Sequence, residues 1–203
     1  MKTYPKISAE ISFLKIYAFD KLDGSNIRAE WSRKRGFYKF GTRHRMLGED
    51  DKTFGEAIGL IQDKYSKDIS DIMKKARFDK GVFFFEFFGE SSEFGWHDEI
   101  ETHDVVLFDA NIAKKGMFPP KEFLKLFGNL DTAALLYTGN PNNIFLEKVR
   151  NGTLPGMTFE GVVCKAKHPK KPGVLMFKVK SLDWYTALRG KCAGDESLYK
   201  ERS

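Results

Sequence analysis

Cysteine is nearly absent from these 203 residues: Cys164 and Cys192 are the only two, far apart in the chain. Two such thiols cannot build a structural zinc cluster, which takes four ligands, and in a reducing compartment they stay as thiols, so no disulfide is expected. Histidine is scarce too. His44, His97, His103 and His168 fall at no spacing that a metal site uses, and each reads as an ordinary surface or loop residue. No stretch approaches the roughly 18 apolar residues of a membrane span. Charges at Lys2, Lys6 and Glu10 leave no apolar core for a signal peptide. A soluble, intracellular, cytoplasmic protein without a membrane partner is expected. Repeats and low-complexity tracts are lacking, and one domain over residues 1–203 is the simplest organisation.

What the chain does have is charge. The net charge is +6 and the pI about 9.1, which favours a polyanionic partner where the excess is clustered. Arg28, Arg33, Lys34, Arg35, Lys39, Arg43 and Arg45 crowd one segment. Lys165, Lys167, Lys170, Lys171, Lys178 and Lys180 crowd another. Solvated charged faces are the alternative for each cluster.

Residues 15–40 alternate apolar and polar positions around the turn signals Asp23-Gly24 and Arg35-Gly36, which predicts strand, turn, strand, turn, strand and puts Lys21 beside a strand end. Phe54, Ile58, Ile61, Tyr65, Ile69, Ile72 and Ala76 recur at helical spacing and predict one or two amphipathic helices over a sheet face. Residues 82–88 and 105–108 suit buried strands. Pro119-Pro120 and Asn140-Pro141 each open a short helix that Gly128 or Gly152 stops. Residues 159–165 and 174–179 predict two antiparallel strands joined by the turn at 168–173. The sum is an α+β domain built on antiparallel sheet.

Some charges sit where charge is costly. Glu86 interrupts five phenylalanines in Phe83-Phe84-Phe85-Glu86-Phe87-Phe88, and a carboxylate buried there needs a partner. An outward-pointing side chain on a half-exposed strand is the alternative. Glu160 before Gly161-Val162-Val163-Cys164-Lys165 poses the same question. Period-two spacing puts Lys178 and Lys180 on one strand face, where they repel unless an anion such as a phosphate ester lies nearby. An edge strand guarded by lysines is the alternative. Cys164 reads as a small core residue.

The order of these residues carries a resemblance. Lys21-Leu22-Asp23-Gly24 resembles the K-x-D-G nucleophile motif of the covalent nucleotidyltransferase superfamily of DNA ligases, RNA ligases and capping enzymes. Gly41-Thr42-Arg43, Phe85-Glu86-Phe87-Phe88-Gly89, Val105-Val106-Leu107-Phe108-Asp109, Glu160 to Lys165 and Phe177-Lys178-Val179-Lys180 resemble its further elements, in the superfamily's order. Asn26, five residues after Lys21, resembles the ATP-dependent RNA ligases of the nick-sealing phage and RNA-editing type, where DNA ligases carry Arg. Asp23 stands where some phage RNA ligases have another polar residue.

The resemblance implies an antiparallel-sheet adenylyltransferase domain of the ATP-grasp-like DNA/RNA ligase type. Its motifs run from 21 to 180, residues 182–203 form a short appendage, and no sizeable C-terminal OB domain follows. It implies ATP and Mg²⁺, with Mn²⁺ as an alternative ion, and an RNA substrate with broken ends or a nicked duplex. Lys21 would carry AMP, with Lys178 and Lys180 as catalytic cations on the phosphates. Asp20 would help to read adenine beside Leu22, Asn26 orient the α-phosphate or RNA end, and Glu86 bind the ribose hydroxyls. Phe108 would stack on the purine, and Glu160 would hold the metal through water. Arg43 would grip ribose or the 5′-phosphate, and Arg28, Arg43 and Lys165 would meet RNA. A DNA ligase, a GTP-dependent guanylyltransferase and a non-enzymatic RNA-binding module with an inert pocket are the rival readings.

Overall fold

The computed structural model describes residues 1–12, 14–90, 101–169 and 173–202. His97 and the turn residues Lys170 and Lys171 lie outside the described residues. The fold is α+β with antiparallel sheets, and it divides into two compact units, Met1–Lys6 with Asp23–Ala133 and Lys167–Val174, and Ile7–Leu22 with Ala134–Ala166 and Leu175–Ser203.

The first unit holds six strands: β2 (Ser25–Ser32), β3 (Gly36–Gly41), β4 (Met46–Leu47), β5 (Lys80–Phe88), β6 (Asp104–Ile112) and β7 (Gly116–Met117), in the order β4-β3-β2-β5-β6-β7. Alternation decides what each face carries. Ile27, Ala29 and Trp31 of β2 and Phe83, Phe85 and Phe87 of β5 turn one way into a core, and helix α1 (Glu56–Lys75) covers them with Ile58, Ile61, Tyr65, Ile69 and Met73. Each large side chain so buried contributes roughly 1.5–3 kcal/mol against exposure. The helical spacing over 54–76 thus forms one helix, and α2 (Pro120–Phe127) adds Phe123 and Phe127 to the same core. Pro120 sits at the first helical position and Gly128 caps the C-terminus, as the sequence implies.

On the other face stand Asn26, Arg28 and Glu30 of β2 with their cross-strand partners Glu86, Phe84 and Val82 of β5. A register shift in β6 pairs Phe84 with Asp109 but Phe85 with Leu107, so Phe108 is the extra residue of a bulge. The bulge resets parity: Val105 and Leu107 before it, and Ala110 and Ile112 after it, all reach the core.

The second unit is a four-stranded sheet, β10-β9-β1-β8, formed by β1 (Ile16–Asp20), β8 (Leu135–Gly139), β9 (Gly161–Lys167) and β10 (Val174–Lys180). Helix α3 (Asn143–Arg150) packs Phe145, Leu146 and Val149 against Ile16, Ala18, Val162, Cys164, Phe177 and Val179. Asn142, whose side chain accepts a hydrogen bond from the Phe145 amide, is the N-cap of α3, and Pro141 lies before it; the expected first-turn proline is therefore a residue outside the helix. Asn151 is the C-cap, with Gly152 at φ +67° just beyond. Strand β8 has no alternating pattern to announce it; it lies at the sheet edge and leaves Leu135 exposed. Helices α4 (Leu182–Lys191) and α5 (Glu196–Arg202) complete the chain. Among the described residues no helix is long and apolar enough to cross a membrane.

Candidate active site

Lys21 leaves the end of β1, its amide donating to the Gly161 carbonyl at 2.9 Å. That bond sets the Lys21 side chain against the start of β9. Lys21 Nζ lies 2.6 Å from Glu160 Oε2, and Lys180 Nζ lies 3.1 Å from Glu160 Oε1. One buried carboxylate is therefore shared by two lysines brought from opposite ends of the sequence. The side chains of Glu160 and Lys180 are each 4% exposed and that of Lys21 is 21% exposed.

Gly161 makes this approach possible. Its φ is +136°, and a Cβ there would lie 2.2 Å from the Val179 carbonyl oxygen and 2.8 Å from Lys180 Cα. Only glycine lets the Glu160-Gly161 backbone press so closely on β10. Ser181 braces the same corner: its amide donates to the Glu160 carbonyl, its hydroxyl donates to the Phe159 carbonyl, and it caps α4 by accepting from the Trp184 amide.

Strand β10 turns Phe177 and Val179 into the core and Lys178 and Lys180 to the opposite face, as alternation requires. Burial pushes the Lys180 ammonium down to about 8; Glu160 opposes that shift, while the charges of Lys178 and Lys21 add to it. Lys180 Nζ also stands 3.2 Å from the centroid of the Trp184 ring, a cation–π contact that partly replaces lost hydration. No signal in the sequence marks Trp184 as a neighbour of this lysine. Asp20 is buried, with Oδ1 accepting the Thr158 amide at 3.0 Å; burial raises its carboxyl above the usual range, and the Thr158 bond pulls the other way.

In the first unit, Gly24 follows the lysine motif into β2, and a Cβ on it would meet the Phe87 carbonyl oxygen at 2.4 Å. The glycine of the motif thus permits close contact with β5. Asn26 and Glu86 are direct cross-strand partners on the non-core face, and Glu86 is half-buried. Phe108, on its bulge, meets the ring of Tyr4 edge-on at 5.0 Å. Tyr4 also packs against Phe84 and donates from its hydroxyl to Asp109 Oδ2 at 2.9 Å, and burial with the Asp109 charge raises its pKa well above the ordinary value. Tyr4 precedes every motif and carries no periodic or spacing signal.

Three residues expected at RNA are placed differently from one another. Arg43 is exposed in the turn at 42–45 between β3 and β4. Arg28 is only 6% exposed; it donates from Nη1 to the Met1 carbonyl, and burial lowers its pKa. Lys165 is 3% exposed, and its Nζ lies 4.9 Å from the centroid of Phe19. Period-two patterning puts Lys165 on the face opposite Val162, Cys164 and Ala166, between half-buried Val163 and exposed Lys167, and so does not announce its burial. Both cysteines are buried free thiols, and burial pushes Cys164 up to about 12. His103 Nδ1 lies 2.6 Å from Glu56, which raises its pKa.

Among the described residues no group of three His, Cys, Asp or Glu side chains is placed to hold a metal ion. Glu160 offers a buried carboxylate beside Lys21. Such a donor set fits an ion carried mainly by water and phosphate oxygens, the usual manner for Mg²⁺, and does not fit one caged by protein.

A family model described as RNA ligase matches residues 14–180. Solved structures of Naegleria gruberi RNA ligase share the fold. The form with PPi superimposes with a TM-score of 0.69 at 16% identity over 94% of this chain and 58% of the other. A variant with AMP and Mn gives 0.65 at 16% identity over 89% and 56%. A second variant with ATP and Mn gives 0.65 at 16% over 92% and 57%. The chain thus spans little more than half the length of these structures. No curated protein matches it at a significant level.

Proposed function

This chain belongs to the RNA ligase family, and from that premise we propose that it is an ATP-dependent RNA ligase, or the adenylyltransferase part of one, that joins RNA 3′-hydroxyl and 5′-phosphate ends through a lysyl-AMP intermediate on Lys21. The observation that carries the proposal is the Glu160 carboxylate held between Lys21 Nζ and Lys180 Nζ. A lone surface lysine is an ammonium with a pKa near 10.4 and a poor nucleophile. Here Lys21 faces a carboxylate that already answers to a second cation, so its ammonium form is not the sole counter-charge.

In the first step Lys21 Nζ, having given its proton to solvent, attacks the α-phosphorus of ATP; the N–P bond forms as the bond to pyrophosphate breaks, and a second proton leaves the nitrogen for solvent to give the phosphoramidate. Lys178 and Lys180, on one face of β10, stabilise the charge on the phosphate oxygens. In the second step an RNA 5′-phosphate oxygen displaces Lys21 from phosphorus, forming an adenylylated RNA end and restoring the amine. In the third, the 3′-hydroxyl attacks the 5′-phosphorus and AMP leaves. Glu160 would hold a magnesium or manganese ion through water, and that ion supplies positive charge to the triphosphate.

To the same reaction we assign Glu86 as the partner of the ribose hydroxyls and its cross-strand neighbour Asn26 as the partner of the phosphate or RNA end. Phe108 is assigned to the purine face and Asp20 and Leu22 to the adenine edge, and Arg43, exposed in its turn, is suited to a phosphate. The single-domain organisation over 1–203 and a cytoplasmic setting belong to the same proposal.

Intact-mass measurement after incubation with ATP and magnesium tests it. A gain of one AMP is expected in the parent protein and none in Lys21→Ala. A parent that gains no mass, or a Lys21→Ala variant that gains as much, overturns the proposal. Gain from GTP in place of ATP would favour a guanylyltransferase, and faster sealing of DNA than RNA nicks a DNA ligase.

A further inference from the structure

The basic cluster seen in the sequence between Arg28 and Arg45 does not survive folding as one patch, and its middle joins cations that the sequence keeps far away. Arg33, Lys34 and Arg35 form the turn between β2 and β3. The Arg33 amide donates to the Asp79 carbonyl at 2.9 Å, and Ser32 pairs with Lys80 at the start of β5. On the other side of β5, the Ala113 amide donates to the Lys80 carbonyl at 3.0 Å, which brings in the turn carrying Lys114 and Lys115.

Helix α1 ends at the same place. Its last turn carries Lys74 and Lys75; Arg77 then takes a left-handed φ of +58° and reverses the chain, so that Phe78 packs on the core and β5 begins two residues later. All of these cations are exposed. Across residues 33–35, 74–80 and 113–115 the only acid is Asp79, and Arg33 already pairs with it at 3.0 Å.

Folding that gathers so many like charges works against itself unless a polyanion answers them. We infer that this strand-end surface binds the phosphate backbone of double-stranded RNA, at a site separate from the Asn26–Glu86 end of the same strands; the inference rests on the RNA ligase reading. Asn26 and Ser32 lie six residues apart on β2, about 20 Å at strand rise, so the RNA held here flanks the ends being joined and is not itself reacting. A duplex is favoured over a single strand because the aromatic rings nearest these cations are already covered. Phe37 is buried, and the Arg35 guanidinium covers the Tyr38 ring at 3.8 Å. Single-strand sites combine cations with open aromatic faces, whereas a duplex backbone is held by cations alone.

The test is a quadruple variant, Lys34→Gln/Lys75→Gln/Lys80→Gln/Lys115→Gln, measured beside Lys67→Gln/Lys125→Gln, which changes exposed lysines elsewhere in the same unit. Binding of a nicked RNA duplex is followed against salt concentration. The slope of log affinity on log salt should fall by about 3.6 in the quadruple variant, near 0.9 for each of its four lysines, with affinity at about 0.1 M salt at least ~10-fold weaker. The control should keep the parent slope, and single-turnover transfer of AMP from ATP to Lys21 should be unchanged in both. An unchanged slope overturns the inference, as does equal weakening on single-stranded RNA, or weakening seen only on vesicles of anionic lipid. If the parent itself takes no AMP, the ligase reading fails, and the salt slope still decides whether this surface binds RNA.

Discussion

Lys21, Lys180 and Glu160 stand together largely withdrawn from water, in a place where any charge is costly. Lys180 bears most of that cost: it is nearly inaccessible, and its ammonium is pushed down from 10.5 to about 8, chiefly by burial. The sign of the linkage follows. Between about pH 8 and 10.5 the unfolded chain holds a proton on Lys180 that the folded chain has released. Stability from this group therefore rises with pH through that window, by up to about 1.4 kcal/mol per pH unit, and is flat and least favourable below about pH 8. Lys180→Met should remove the rise. Urea denaturation across the window checks it, and parallel curves for parent and variant would show that burial does not depress Lys180. At this scale the sequence is informative about residue type and mute about partners. Lys21, Glu160 and Lys180 are each legible as candidates, but nothing in the spacing of Trp184 or Tyr4 says which side chains they touch.

Strands explain why the candidates converge. Period-two alternation places Lys178 and Lys180 together and opposite to Phe177 and Val179, and that much follows from backbone geometry alone. The approach of β9 to β10 at Glu160 depends instead on Gly161. Gly161→Ala puts a Cβ where the Val179 carbonyl oxygen already lies, at a φ that L side chains rarely adopt. A loss of about 2 kcal/mol or more is expected by urea denaturation, with slower AMP transfer to Lys21 as Glu160 shifts. A variant as stable and as fast as the parent would mean that the backbone relaxes without moving Glu160. Elements with strong periodicity, such as α1, are readable before folding. Strand β8 is not, because an edge strand with exposed Leu135 needs no alternating pattern.

For the molecule as a whole, the proposed chemistry separates activation from sealing. A preadenylylated RNA end has already passed the two steps in which Lys21 takes up and gives away AMP. Lys21→Ala should therefore seal a preadenylylated nick and fail on an unactivated 5′-phosphate, while the parent seals both; rates on matched nicked duplexes measure this. Equal sealing of both nicks by Lys21→Ala would remove the covalent intermediate from the scheme.

Local chemistry written along the chain determined the strongly periodic strands and helices, their inward faces and the K-x-D-G lysine, because backbone periodicity and turn preference act over a few residues. Which distant charges would share one carboxylate, that Arg28 and Lys165 would be buried, and that cations from three separate segments would meet at one sheet end were decided only by tertiary structure. Those outcomes depend on strand order and register, which no local pattern encodes.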